Sequence, residues 1–78
     1  MFRQSTDKRV AVFVANGLEE IEGLTVLDLL FRAGIPTDTV SITPERTVTS
    51  SHQVTITCDR SIADEGFSFD DYDMLVLP

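Results

Sequence analysis

Val10 to Ala15 read Val-Ala-Val-Phe-Val-Ala, an unbroken apolar run rich in β-branched side chains. A strand on a sheet with one wet face would alternate apolar and polar residues. A run without alternation is the pattern of an inner strand in a parallel sheet, covered on both faces. Asn16-Gly17 ends the run with a turn signal. Glu19 to Ala33 then predicts a helix, with acids in its first turn, Arg32 in its last, Gly34 as the stop and Pro36 just beyond. Thr37 to Ile42 predicts a second strand, and Asp73 to Leu77 another buried one. Thr47–Ser51 and Gln53–Thr57 are β-rich segments able to pair as a small hairpin or extension. Strand, helix, strand and a later buried strand make the start of a doubly wound parallel α/β sheet. Residues 10–15 and 73–77 are expected to be neighbouring central strands, with helix 19–33 packed on the sheet they form.

Such a sheet needs helices on both faces, and only one convincing helix is present. A chain of 78 residues buries only about 60–65% of its unfolded surface, so it holds one domain at most. Residues 1–7 read as a disordered leader and 8–78 as the N-terminal part of a domain. The chain stops at Pro78, at the C-terminal end of a core strand, where these folds place their ligands. The expectation is a fragment that exposes uncovered sheet until complementary polypeptide, the C-terminal half of the same protein, packs on it.

Charge and composition exclude several classes. The net charge is −7 and the 6 Lys and Arg are scattered, which argues against nucleic acid and anionic membranes as partners. No apolar run approaches the roughly 18–20 residues that span a bilayer. The polar start, Met1 to Arg9, has no signal-peptide core, so a cytoplasmic location is expected. Cys58 is the single cysteine, and no Cys/His cluster at metal spacing accompanies it. No metal and no cofactor are expected, and Cys58 reads as a small half-buried hydrophobe.

On a helical wheel, Thr25, Asp28 and Arg32 form a narrow polar stripe. Leu24, Leu27 and Phe31 make one apolar flank, and Val26, Leu29, Leu30 and Ala33 another. That is too much apolar surface for one sheet contact, so a second layer or a second subunit is expected on the helix. Glu22 falls at the angle of the Val26/Leu29/Ala33 flank. Burial there raises a carboxyl pKa while the helix N-terminus lowers it, and opposed influences beside a strand end mark a candidate site. Glu19 and Glu20 read as first-turn acids serving the helix dipole.

The stretch Lys8-Arg9-Val-Ala-Val-Phe-Val-Ala-Asn-Gly17-Leu-Glu19-Glu20-Ile-Glu22 resembles the opening of the ThiJ/PfpI (DJ-one) superfamily. Phe31-Arg32-Ala33-Gly34-Ile35 is similar to that family's helix exit. Asp59 with Ser61-Ile62, and then Tyr72-Asp73-Met-Leu-Val-Leu-Pro78, resembles its third landmark. The resemblance implies a flavodoxin-like sandwich related to class I glutamine amidotransferases, with a reactive cysteine on a strained turn. It implies that Glu22 is the acid hydrogen-bonded to that thiol, and that Gly17 and Glu19 line the substrate pocket. Arg32 and His52 fall where relatives place arginines near the dimer interface and pocket rim, His52 being a departure. The nucleophile it implies lies beyond Pro78, and Cys58 is not that residue.

Two activities follow from the resemblance. One is cysteine-dependent deglycase or glyoxalase chemistry on reactive aldehydes or their adducts, with Glu22 as thiol partner and proton shuttle. The other is redox sensing or chaperone-like holding in a stress response, by the same cysteine without turnover. A homodimer is implied in either case. A phospho-receiver module is disfavoured because Asn16-Gly17-Leu18 separate the acids from the first strand and the late strand ends in Leu-Pro without an acceptor Asp. A dinucleotide-binding domain is disfavoured because no GxGxxG follows the first strand.

Overall fold

The computed structural model describes residues 3–78. Strand β1 is Val10–Val14, helix α1 Glu20–Arg32 and strand β2 Thr37–Ser41. They are followed by β3 (Thr47–Thr49), β4 (Thr55–Thr57), β5 (Arg60–Ser61), a 3-10 turn at Phe69–Asp71, and β6 (Met74–Val76). The main sheet has the order β5-β2-β1-β6 and is parallel throughout. β3 and β4 form a separate antiparallel hairpin with Val48 opposite Ile56.

β1 sits inside the sheet, with Val12 opposite Thr39 on one side and Val76 on the other. All five of its residues are buried, none more than 7% exposed, as an unalternating apolar run requires. Its neighbour β6 is the expected partner but lies at the sheet edge among the described strands, so only β1 of the pair is central. The main packing of α1 is on β1 and β2, so it spans that pair and not the pair β1 and β6. The two-residue β5 and the 3-10 turn were outside the expected elements, being too short for any periodicity to register.

Ala11, Phe13, Val40 and Tyr72 form one core cluster, with Phe67 packed against it. Val14, Val48 and Cys58 form another, backed by Leu18 and Ile56. The hairpin therefore serves as a cover for the end of β1. Cys58 is fully buried there, more so than the half-buried position expected, and desolvation pushes its thiol pKa up.

Polar groups fasten the N-terminal edge of the sheet. Asp38 Oδ2 accepts from Tyr72 OH at 2.7 Å and from Arg9 at 2.8 Å, and the Arg9 guanidinium lies 5.2 Å over the Tyr72 ring. Burial, and next the Asp38 carboxylate, push the Tyr72 phenol up. The Arg9 and Asp73 backbones close this edge, with Asp73 N donating to Arg9 O and Arg9 N to Asp73 Oδ2, both at 2.8 Å. Asp59 does the same for β5: its Oδ2 accepts from Thr39 N at 2.9 Å and Thr39 Oγ1 at 3.1 Å.

Of the expected leader, Met1 and Phe2 lie outside the described residues. Arg3 to Asp7 form no helix or strand, yet Ser5 N donates to Gly34 O at 2.7 Å, which docks the segment on the end of α1. At the opposite end of the strands the molecule is open. Ile42, Ile62, Phe69, Leu75 and Leu77 are exposed apolar side chains around Phe13, lining an apolar groove of about 280 Å³. This is the uncovered sheet that a single helix leaves behind.

Asp64 tests how polar contacts hold the loop after β5. Its Oδ2 accepts from Ser61 N at 3.0 Å and from Arg46 Nε and a terminal guanidinium nitrogen at 3.1 and 2.9 Å. The Ser61 backbone and then Arg46 hold its carboxyl below the usual range. A carboxyl pKa lower in the folded than in the unfolded state stabilises above the unfolded value and loses that contribution as pH falls. Urea midpoints of the protein between about pH 5 and pH 2 should fall, and Asp64→Asn should remove part of that fall. An identical pH dependence in the variant would contradict the assignment.

Candidate functional site

The loop between β1 and α1 carries the residues singled out by sequence. Asn16-Gly17 turns the chain, with Gly17 at φ +86°, in the left-handed region where a side chain is strained. Three hydrogen bonds tie this loop to the hairpin: Gly17 N to Thr49 O at 2.8 Å, Thr49 N to Asn16 Oδ1 at 2.9 Å, and Ser51 N to Leu18 O at 2.8 Å. Gly17 lines a pocket of about 300 Å³ with Phe13, Leu18, Ile42, Leu77 and Pro78. The pocket opens at the C-terminal ends of β1 and β6, the side where parallel sheets take their ligands.

The helix starts one residue later than expected, with Glu19 as its N-cap. Glu19 makes no side-chain cap. Its Oε1 accepts instead from Ser51 Oγ on the hairpin turn and lies 3.4 Å from His52 Nδ1. Glu20 Oε1 lies 2.8 Å from the same imidazole nitrogen. Its other oxygen, Oε2, is shut off from solvent and has no hydrogen-bond partner among the described residues. The Glu20 carboxyl is held below the usual range, first by its own backbone N–H at the helix start. Burial opposes this, and the nearby Ser50 hydroxyl and the His52 imidazole reinforce it.

Glu22 departs from the expected burial: it is exposed in this chain and has no polar partner among the described residues. The helix explains why. Gly23 is its one buried residue, and Val26, Leu27 and Leu30 are half-buried, so the inward stripe is the i, i+3, i+4, i+7 row from Gly23. At 100° per residue Glu22 stands about 90° from the centre of that row, at the edge of the Leu29/Ala33 flank. That flank faces outward. Glu20 falls about 70° from the centre on the other side, which makes it the half-buried acid. Gly23 is the missed signal: with Leu18 Cδ atoms 3.0 and 3.2 Å from where its Cβ would stand, the helix approaches the loop there.

The structure thus brings Glu19 and His52 together, adds Glu20 and Ser51, and links Gly17 to them through the hairpin. Arg32 does not join them. It lies at the far end of α1, about 18 Å along the axis, exposed and paired with Asp28 at 2.9 Å.

Two glycines separate conformational strain from crowding. Nothing lies within 4 Å of a Cβ built on Gly17, whereas one on Gly34 (φ +74°) would stand 2.1 Å from Arg3 O. Gly17→Ala should cost about 1 kcal/mol, the left-handed penalty alone. Gly34→Ala should cost clearly more, because backbone must also move. Equal losses in denaturant unfolding would contradict this reading.

Comparison with known proteins agrees with the fold and the landmarks. Residues 8–78 match the model of the DJ-1/PfpI family. Among the curated proteins, none matches the chain. Similar solved structures include the VC2308 protein, at TM-score 0.83 and 33% identity over 94% of this chain. Schizosaccharomyces pombe DJ-1 superposes at TM-score 0.78 with 36% identity over 90% of the chain. Oxidized Toxoplasma gondii DJ-1 does so at TM-score 0.78 with 33% identity over 91%. The chain spans 36%, 40% and 38% of the lengths of these three structures. Its parallel sheet and helix are part of their flavodoxin-like fold, and the chain belongs to the DJ-1/PfpI family.

Proposed function

We propose that the protein is a cysteine-dependent deglycase or glyoxalase acting on reactive aldehydes or their adducts, with Glu22 as the acid that partners the thiol. The observation that carries this reading is the position of Glu22. It is a carboxyl without a polar partner among the described residues, in the first turn of α1, on the helix that follows the C-terminal end of β1, the strand end that opens the Gly17 pocket. Family membership supports the same assignment.

The nucleophile is not Cys58, which is buried among Val14 and Val48 with its thiol pKa raised and so is a poor thiolate. The C-terminal half of the protein supplies the reactive cysteine and covers the apolar groove at Ile42, Leu75 and Leu77. Its thiolate adds to the aldehyde carbon, forming a C–S bond while the carbonyl oxygen takes up a proton. Glu22 holds the thiol by hydrogen bond and moves protons at the adduct. Gly17 borders the substrate pocket, Glu19 stands just outside its lining at the start of α1, and His52 and Arg32 stand towards a dimer contact. The exposed Ile21, Leu24 and Leu29 on α1 give a homodimer its apolar surface. The protein works in the cytoplasm. Among the described residues, no helix is long and apolar enough to cross a membrane.

In the complete protein, Glu22→Gln keeps the shape of the side chain and removes its titratable proton. Turnover of methylglyoxal should fall by about 10²-fold or more, with the unfolding midpoint little changed because the residue is exposed. Full activity in Glu22→Gln would overturn the site. Absence of turnover in the unaltered protein, with mass gain at a cysteine after peroxide, would favour redox sensing or holding instead.

A further inference from the structure

The Glu19, Glu20 and His52 cluster does not include Glu22, the acid proposed for the thiol chemistry. One ligand atom from each of the three side chains lies within 4.8 Å of the others. His52 Nδ1 is 3.4 Å from Glu19 Oε1 and 2.8 Å from Glu20 Oε1. Ligand atoms around a tetrahedral zinc ion stand about 3.3–3.4 Å apart. The first distance already matches, and the second matches after an opening of about half an ångström. We propose that Glu19, Glu20 and His52 form a divalent-metal site, suited to zinc, that pins the β3–β4 turn to the N-terminus of α1.

Three features support the assignment. The donor set of one imidazole and two carboxylates suits zinc and leaves a fourth position open for water. The Glu20 side chain is only 15% exposed, and its Oε2 is out of contact with solvent and without a hydrogen-bond partner among the described residues. A buried carboxylate oxygen left in that state is costly, and a bound cation compensates it. The ligands are also held in place before any metal arrives. The three hydrogen bonds between the β1–α1 loop and the hairpin fix the two backbones that carry them. Ser51 Oγ donates to Glu19 Oε1, the kind of supporting contact that orients a ligating carboxylate.

The test is calorimetric titration of the full chain with zinc chloride after alkylation of its cysteines, with cobalt(II) absorption as the second readout. One equivalent of zinc should bind, and cobalt should give tetrahedral d–d bands without a thiolate charge-transfer band. His52→Ala should weaken zinc by more than the roughly 10- to 100-fold that loss of a merely supporting group costs. Because His52 is exposed, the variant should stay folded. Glu19→Gln, which keeps the side-chain shape, should weaken zinc likewise and serves if the first variant does not fold. Failure to saturate with one equivalent, or unchanged affinity in both variants, overturns the site. Aldehyde turnover is not read in this experiment, so either outcome leaves the role of Glu22 standing or falling on its own test.

Discussion

The pairing of β1 with β2 on one side and β6 on the other is the constraint on which the remaining structure depends. A strand with five buried residues has no wet face, so each side must be covered by something else in the chain. Phe13 and Ala11 are met by Tyr72 and Val40, and Val14 by the hairpin residues Val48 and Cys58. Each buried Val or Phe side chain contributes about 1.5–3 kcal/mol by leaving water. The strand's direction also decides where chemistry can occur. Its C-terminal end delivers the Asn16-Gly17 turn, and that turn starts α1 beside the open pocket.

The two ends of the sheet differ in how their polar groups are paired. At the N-terminal edge, Arg9, Asp38, Tyr72 and Asp73 satisfy one another with short hydrogen bonds. The C-terminal end is the reverse. Among the described residues, it holds a carboxyl without a polar partner at Glu22, a carboxylate oxygen without a hydrogen-bond partner on Glu20, and a groove with no polar lining.

Much of this was legible in the sequence. The unalternating run at Val10–Val14 and the Glu20–Arg32 helix were readable because strong periodicity and end signals, Gly34 and Pro36 among them, agree with each other. The hairpin was readable from its β-branched residues. β5 was not, because two residues carry no period; it exists through Asp59, whose carboxylate takes the Thr39 N–H. The helix wheel gave the correct surplus of apolar surface but the wrong rotation. Leucine, valine and phenylalanine surround most of α1, so hydrophobicity alone leaves its inward face undetermined, and the small residue Gly23 decides it. That rotation exchanges the environments of Glu22 and Glu20. The partnership of Glu19 with His52 joins residues 33 positions apart through a hairpin contact, and no local pattern encodes such a pair.

The central claim is that the open end of this sheet is one wall of a thiol site whose acid is Glu22. A crystal structure of the complete protein tests it most directly. The account predicts a cysteine sulfur within hydrogen-bond reach of the Glu22 carboxyl, carried by polypeptide packed over Phe13, Leu75 and Leu77. A structure in which that groove is covered, yet Glu22 still faces solvent with every thiol remote from it, would contradict the account.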